Sequence, residues 1–368
     1  MSASLTTELF FDGESLHGPT RLIFRGSTVE SVEPYEGACS NRLVAPGLVD
    51  LQMNGHDTID CSRANVDGLA ELDAELAALG TTSWLATIVT APLDRLDAAI
   101  ERISDAMSSG RIPGCLGIHL EGPFLGSAPG AHRPDWIIEP DEEWISRLPP
   151  TVRLMTVGAE SAGAPALVRM LVDRGVTVSL GHTRPTASQF AACVEAGASM
   201  VTHLFNGMSG IHHREGGLAQ EALLEDRVSV GLIGDMIHVS PATVRLVFRA
   251  KHGRGPVLVS DSVAWNSEWA VSRGVTLTDG APRLADGTLA GSATALADCV
   301  ALTARASGVE IVNALRAATS APADAIGEEQ KGRIRVGESC DILTFDADLR
   351  LVRDGCRLVF PRGNESHT

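Results

Sequence analysis

The sequence predicts an α/β protein: a (β/α)8 TIM-like barrel with a small β-sandwich domain formed from both termini. Three observations carry this expectation. The middle of the 368-residue chain alternates apolar runs of strand length with helical patterns, and eight such runs can be counted. Both ends carry short β-like runs without a helical period. Residues able to do acid–base or metal chemistry recur at the carboxyl ends of the central runs, where barrel sites are built.

Taken in order, Leu9 to Val44 reads as short strands (LFFDG, TRLIFRG, STVESVEPY) broken by Gly, Asp and Pro. The far end, ESCDILTFDADLRLVRDGCRLVF, reads the same way, and the closing PRGNESHT reads as a disordered tail. Termini commonly lie close together, so residues 1–46 and 337–368 are expected to share one small domain, with residues 47–336 as the barrel. The eight barrel runs are GLVDLQMN (47–54), TSWLATIV (82–89), CLGIHLE (115–121), VRLMTVG (152–158), VTVSLGH (176–182), SMVTHLF (199–205), VSVGLIGD (228–235) and PVLVSD (256–261). Helical patterns separate them. In VDGLAELDAELAALG, Leu69, Leu72, Leu76 and Leu79 fall at helical spacing and Gly80 is a stop. LDRLDAAIERISDAM and APALVRMLVDRG behave alike. A doubly wound open sheet is the structural alternative, but no GxGxxG follows the first run and no GxxxxGK[ST] occurs, so dinucleotide and P-loop chemistry are unsupported.

Composition narrows the partners. An apolar fraction of 44% and a charged fraction of 21% suit a globular protein with a sizeable core. A formal net charge of −16 argues against general affinity for nucleic acid or anionic membrane, which need a basic face. An acidic substrate must therefore be held by a local cluster of donors. No apolar run reaches spanning length, and the first residues show no basic segment followed by an apolar one, so a cytoplasmic location is expected. The seven cysteines, Cys356 among them, are scattered without CxxC spacing, which indicates neither a disulfide framework nor a thiolate metal site.

The ends of the runs are the informative part. The third ends in Glu121, the fifth in His182, the sixth in His203 and the eighth in Asp261. One carboxylate with two imidazoles is a three-ligand set for a catalytic divalent ion such as zinc, with a position left open. Asp261 is then free to take a proton from water and pass it to a leaving group. This is the layout of a metal-assisted amide or ester hydrolase. His119, two residues before Glu121, is read as a support behind the ligands.

Six motifs carry a resemblance: HLEGPF (119–124), GHT (181–183), THLFNGM (202–208), GDMIHV (234–239), LVSD (258–261) and LAGSA (289–293). Together they resemble the N-acetylglucosamine-6-phosphate deacetylases of the amidohydrolase superfamily, over nearly the whole chain. The resemblance implies that Glu121, His182 and His203 hold one divalent metal ion, zinc first, with iron, cobalt or manganese as alternatives. It implies that Asp261 is the proton acceptor and donor and that His132 helps to polarise the acetamido carbonyl. Asn206 and Gly207 are implied to contact the sugar phosphate, with His238 as another substrate contact and Leu289, Ala290 and Gly291 as a loop over the sugar. Arg214 matches an arginine that reaches the phosphate across the interface of a homodimer. The implied reaction is deacetylation of N-acetylglucosamine 6-phosphate, with no nucleic acid or membrane partner. The rivals are a related N-acyl amino sugar, galactosamine phosphate or unphosphorylated, and a non-catalytic sugar-phosphate binder.

Three stretches depart from the pattern. Gln52-Met53-Asn54 stands where most amidohydrolases carry His-x-His, so a mononuclear site is expected. His56 and Asp57 are read as a polar turn. SVAWNSEW (262–269) follows the catalytic Asp where small residues are expected, and together with the 55–60 stretch it puts the identity of the sugar in question.

Overall fold

A computed structural model describes residues 2–251 and 255–352. Its centre is a parallel sheet of eight strands: Leu48–Met53, Thr81–Val89, Cys115–Glu121, Val152–Val157, Thr177–Leu180, Met200–Val201, Ser229–Ile233 and Pro256–Val259. Each pairs with the next in chain order, the arrangement of a (β/α) barrel. The barrel closes at its carboxyl end. Asp261 N–H donates to Gln52 O at 3.0 Å, and Asn54 N–H donates to Ser262 O at 2.9 Å. The seam between the first and last strands therefore runs beside the strand-end residues.

The intervening helices form where the apolar spacing places them. Val66–Ala78 buries Leu69, Leu72 and Leu76 and is capped by Asn65, whose side-chain oxygen accepts from Gly68 N–H at 2.9 Å. Leu93–Ser108 buries Leu96, Ile100 and Ile103 at the same period, and Ala164–Asp173 buries Leu167, Val168 and Leu171. These faces and the outer faces of the strands make the large core. A smaller cluster, with Leu85, Leu154, Met200 and Val257 packed on Ala323 and Ile326, fills the opposite end of the barrel from the site. The expected sixth strand is shorter than its apolar run, because the ladder stops at Val201 and the chain turns at His203.

Both ends of the chain enter a second, mixed sheet. Its order is Ile342–Phe345, Asn41–Pro46, Ser2–Phe11, Thr20–Arg25 and Thr28–Pro34, with Leu16–His17 paired to Ser2–Phe11. Phe10, Leu22, Phe24, Val44 and Ile342 form its own apolar cluster. The rest of the expected terminal β run, Cys356 and the tail, residues 353–368, lie outside the described residues. Among the described residues the six cysteines are free, and no helix is long and apolar enough to cross a membrane.

Candidate active site

Glu121 ends the third strand, paired in register with Val89 and Thr156. His182, His203 and Asp261 each stand just past the end of a strand, and all three adopt left-handed backbone, with φ of 51°, 24° and 48°. Such geometry costs on the order of 1 kcal/mol or more per residue, and it clusters where a side chain must be aimed. Here it turns each side chain from the ladder into the mouth of the barrel.

The three expected ligand atoms form a regular triangle. Glu121 Oε1, His182 Nε2 and His203 Nε2 are each 3.1 Å from the other two. An edge of that length belongs to a tetrahedron whose centre is about 1.9 Å from each corner, close to the roughly 2.0–2.2 Å bonds of zinc to imidazole and carboxylate. Two buried imidazole nitrogens facing each other at this distance share either a proton or a metal ion. His182 Nδ1 lies 3.1 Å from the carbonyl of Ala128, which can only accept, so that nitrogen carries the proton and Nε2 keeps its lone pair for the cluster. The donor set fits a divalent ion.

His132 joins the same cluster from the loop after the third strand. Its Nε2 is 3.1 Å from His182 Nε2 and 3.8 Å from Glu121 Oε2. Glu121, His132 and His182 also form a three-residue group whose ligand atoms lie within 4.8 Å of one another. The set completed by His203 is tighter and has equal edges, so it is the better cage, with His132 at its rim. Burial, reinforced by the neighbouring His182, lowers the His132 pKa to about 3 and leaves a neutral ring. Burial opposes charge on Glu121, but the imidazoles of His182 and His203 outweigh it and hold the carboxyl well below the usual range.

Two residues hold the carboxylates in place. Gln52 Nε2 donates to Glu121 Oε1 at 3.0 Å, and Asn54 Nδ2 donates to Asp261 Oδ1 at 2.9 Å. The amides that replace His-x-His therefore serve as hydrogen-bond donors to the site's two acids. Sequence reasoning saw them only as poor ligands; their position at the end of the first strand was the signal that could have assigned them. Asp261 is pushed up to about 6, first by burial and then by the charge of Glu121. His119 lies deeper, with Nδ1 3.0 Å from Leu51 O and Nε2 2.8 Å from Thr156 Oγ1. Both of its nitrogens are occupied, so it supports the ligands from behind.

A cavity of about 860 Å³ opens over this centre. Asn206, Gly207, His238, Leu289, Ala290 and Gly291 all line it. Gly207 has φ 58°, and a Cβ there would stand 2.8 Å from His182 Nδ1, so the loop passes the ligand at a distance that only glycine allows. His238 is fixed by Asp235, Nδ1 to Oδ2 at 2.7 Å. Arg214 is exposed outside the cavity wall, its Nη1 2.9 Å from His213 Nε2. His56 faces Ile59 in a two-residue hairpin, and Asp57 at its turn accepts from Asn266 N–H and Nδ2, as a polar turn does.

A closed parallel barrel with one carboxylate and three imidazoles converging on a point, and a second buried carboxylate beside them, defines a candidate metal-dependent hydrolase. The amidohydrolase family profile matches residues 43–362. The chain belongs to the amidohydrolase family. It is 31% identical over 370 residues, 94% of this chain and 89% of the relative, to human N-acetylglucosamine-6-phosphate deacetylase. It is 33% identical over 337 residues, 87% of this chain and 83% of the relative, to N-acetylgalactosamine-6-phosphate deacetylase of a Shewanella strain. Among solved structures, a mutant N-acetyl-D-glucosamine-6-phosphate deacetylase of Mycobacterium smegmatis in complex with N-acetyl-D-glucosamine-6-phosphate superposes with a TM-score of 0.86 at 30% identity, covering 95% of this chain and 96% of that one.

Proposed function

We propose that the protein hydrolyses the acetamido group of N-acetylglucosamine 6-phosphate, giving glucosamine 6-phosphate and acetate. The observation that carries this reading is the regular triangle of Glu121, His182 and His203 with Asp261 beside it. The names of relatives at about one-third identity over most of the chain supply the substrate. Glu121, His182 and His203 are the residues that would hold one divalent ion, zinc being best suited to this donor set. When bound, such an ion polarises the amide carbonyl and eases the ionisation of water.

Asp261 accepts the proton that the attacking water gives up as its oxygen adds to the carbonyl carbon. It returns that proton to the nitrogen as the C–N bond breaks, so the amine leaves neutral. Asn54 keeps Asp261 aimed, and Gln52 keeps Glu121 aimed. His132, a neutral ring at the rim, offers an N–H to the carbonyl oxygen as charge builds there. Asn206, Gly207, His238 and the Leu289–Gly291 loop hold the sugar and its phosphate. Arg214 reaches that phosphate from a second copy of the chain in a homodimer, a role consistent with its position outside its own cavity. The chain divides at 46/47 and 336/337 into the terminal β unit and the barrel, and works in the cytoplasm.

Metal-loaded protein incubated with N-acetylglucosamine 6-phosphate should release acetate in equal amount to free amine. Absence of acetate overturns the reading. The Shewanella relative brings the C4 epimer into the same assay, and a higher kcat/KM for N-acetylgalactosamine 6-phosphate would reassign the sugar.

A further inference from the structure

The cavity of about 860 Å³ stands in the upper part of the roughly 300–1,000 Å³ range of small-molecule sites. One side of it is built by the loops after the first, second, third and eighth strands. There Arg63, Arg95, Arg133 and Arg273 line the wall with Trp136 and Trp269. The guanidinium of Arg63 lies 4.3 Å from the centre of the Trp269 ring and that of Arg273 lies 4.8 Å from it. Arg133 lies 4.6 Å and Arg95 5.9 Å from the centre of the Trp136 ring. One arginine–aromatic pair per 70–80 residues is ordinary, so the five among the described residues are unremarkable in number. Four of the five at one cavity are not a random scatter.

Charge sharpens the point. The chain carries a net charge of −16, yet these cations gather around one opening. Among the described residues no carboxylate lies within ion-pair distance of Arg63, Arg95 or Arg273, and Arg133 touches only the exposed Asp135 at 3.9 Å. Asp60 also lines the cavity; its carboxylate accepts from the N–H and hydroxyl of Ser62 and also interacts with the charge of Arg63 from beyond ion-pair distance. Burial, with Arg133 and Arg63 nearby, lowers the pKa of Arg273, as expected where like charges are held together. The tryptophan faces keep the guanidiniums apart from solvent on one side while leaving their N–H edges free for an anion. Arg63 follows the 55–60 stretch, Trp269 ends the 262–269 stretch, and Arg273 lies four residues beyond it. Asn266 and Asp57 tie the two together.

We propose that Arg63, Arg133 and Arg273, backed by Trp136 and Trp269, form an anion subsite that receives a second acidic group of the substrate, on the side of the mouth opposite Asn206 and His238. This rests on the hydrolase reading. A sugar whose C6 phosphate sits at the sixth and seventh strands turns other ring positions toward this wall. The group is a phosphate or a carboxylate, both of which suit guanidinium recognition.

The test uses full-length, metal-loaded protein and the Arg63→Ala/Arg273→Ala double variant. Inorganic sulfate is titrated while tryptophan fluorescence is followed, since Trp136, Trp265 and Trp269 face the cavity. A saturable change is expected in the wild type, with at least tenfold weaker apparent affinity in the variant; equal curves, or no response in the wild type, overturn the subsite. In parallel, acetate release is compared for N-acetylglucosamine 6-phosphate, its 1,6-bisphosphate and its 3-O-carboxyalkyl ether. At least one doubly acidic substrate should show a KM fivefold or more below that of the monophosphate, a ratio that falls to about one in the variant, and the arm that responds identifies the acidic group. Equal KM values in the wild type overturn the subsite, as does a variant that raises all KM values by one factor, which would assign the arginines to the 6-phosphate. If no substrate releases acetate, the hydrolase reading falls and the sulfate arm still judges the subsite.

Discussion

Asp261 and its donor Asn54 show what a single residue contributes here. Replacing Asp261 with Asn keeps the shape and removes the base, so kcat should fall by roughly 10²–10⁴ with metal content unchanged, as read by steady-state kinetics and metal analysis; near-normal turnover would take the proton step away from this residue. Asp261 has to be ionised to act as a base, and its pKa stands near 6 before a cation beside it pulls it lower. The acid limb of kcat/KM therefore belongs to it, with rate lost as pH falls. Asn54→Ala removes a hydrogen bond to the charged form, which raises the pKa, so the limb should move up by about one pH unit. A limb that stays put would belong to another group. The four strand-end residues were legible in the sequence because each closes an apolar run. Gln52 and Asn54 as donors were not, because their partners lie 69 and 207 residues away and meet them only once the strands stand side by side, Asn54 across the closing seam.

At the level of elements, the strands deliver residues and the turns aim them. The sixth run shows the difference: seven residues read as strand, yet only Met200–Val201 pair, because His203 needs left-handed backbone to face the mouth of the barrel. Apolar periodicity cannot report that turn, since Leu204 and Phe205 continue the pattern past it. The loop that follows is equally exacting. Gly207→Ala puts a Cβ against His182 and strains the backbone, so metal affinity should weaken roughly tenfold or more in a chelator competition. Asn65→Ala, far along the first helix's cap, serves as the contrast: about 1 kcal/mol of stability lost in thermal unfolding, with metal affinity retained. Equal metal affinity in both variants would mean that the loop yields and that the close approach carries no function.

For the whole molecule, the proposed homodimer would divide recognition between copies. Arg214 lies outside its own cavity, whereas Arg63, Arg133 and Arg273 line it. Arg214→Ala and Asp261→Asn chains are each expected to be poorly active alone. Mixed with subunit exchange, they should regain about one quarter of wild-type activity, because half the dimers then pair an intact Asp261 with a partner's intact arginine. Activity that is only the sum of the two separate preparations would place Arg214 outside catalysis in the dimer. The barrel and its terminal β unit were readable from texture along the chain. The arginine–tryptophan wall was not, because residues 63, 133 and 273 each look like isolated surface cations until the loops of three strands bring them to one opening.

The seam between the first and last strands has a temporal meaning as well as a spatial one. Asn54 and Asp261 meet only when the eighth strand has been made and docked, 207 residues after the first. A chain emerging from the ribosome can therefore hold Glu121, His182 and His203 well before it can turn over substrate. The same junction sits at the rim of the barrel and is made by few backbone bonds, so a local opening there would part Asp261 from Glu121, His182 and His203 while the helices stay packed. On warming or in mild denaturant, loss of turnover should precede loss of helical circular dichroism.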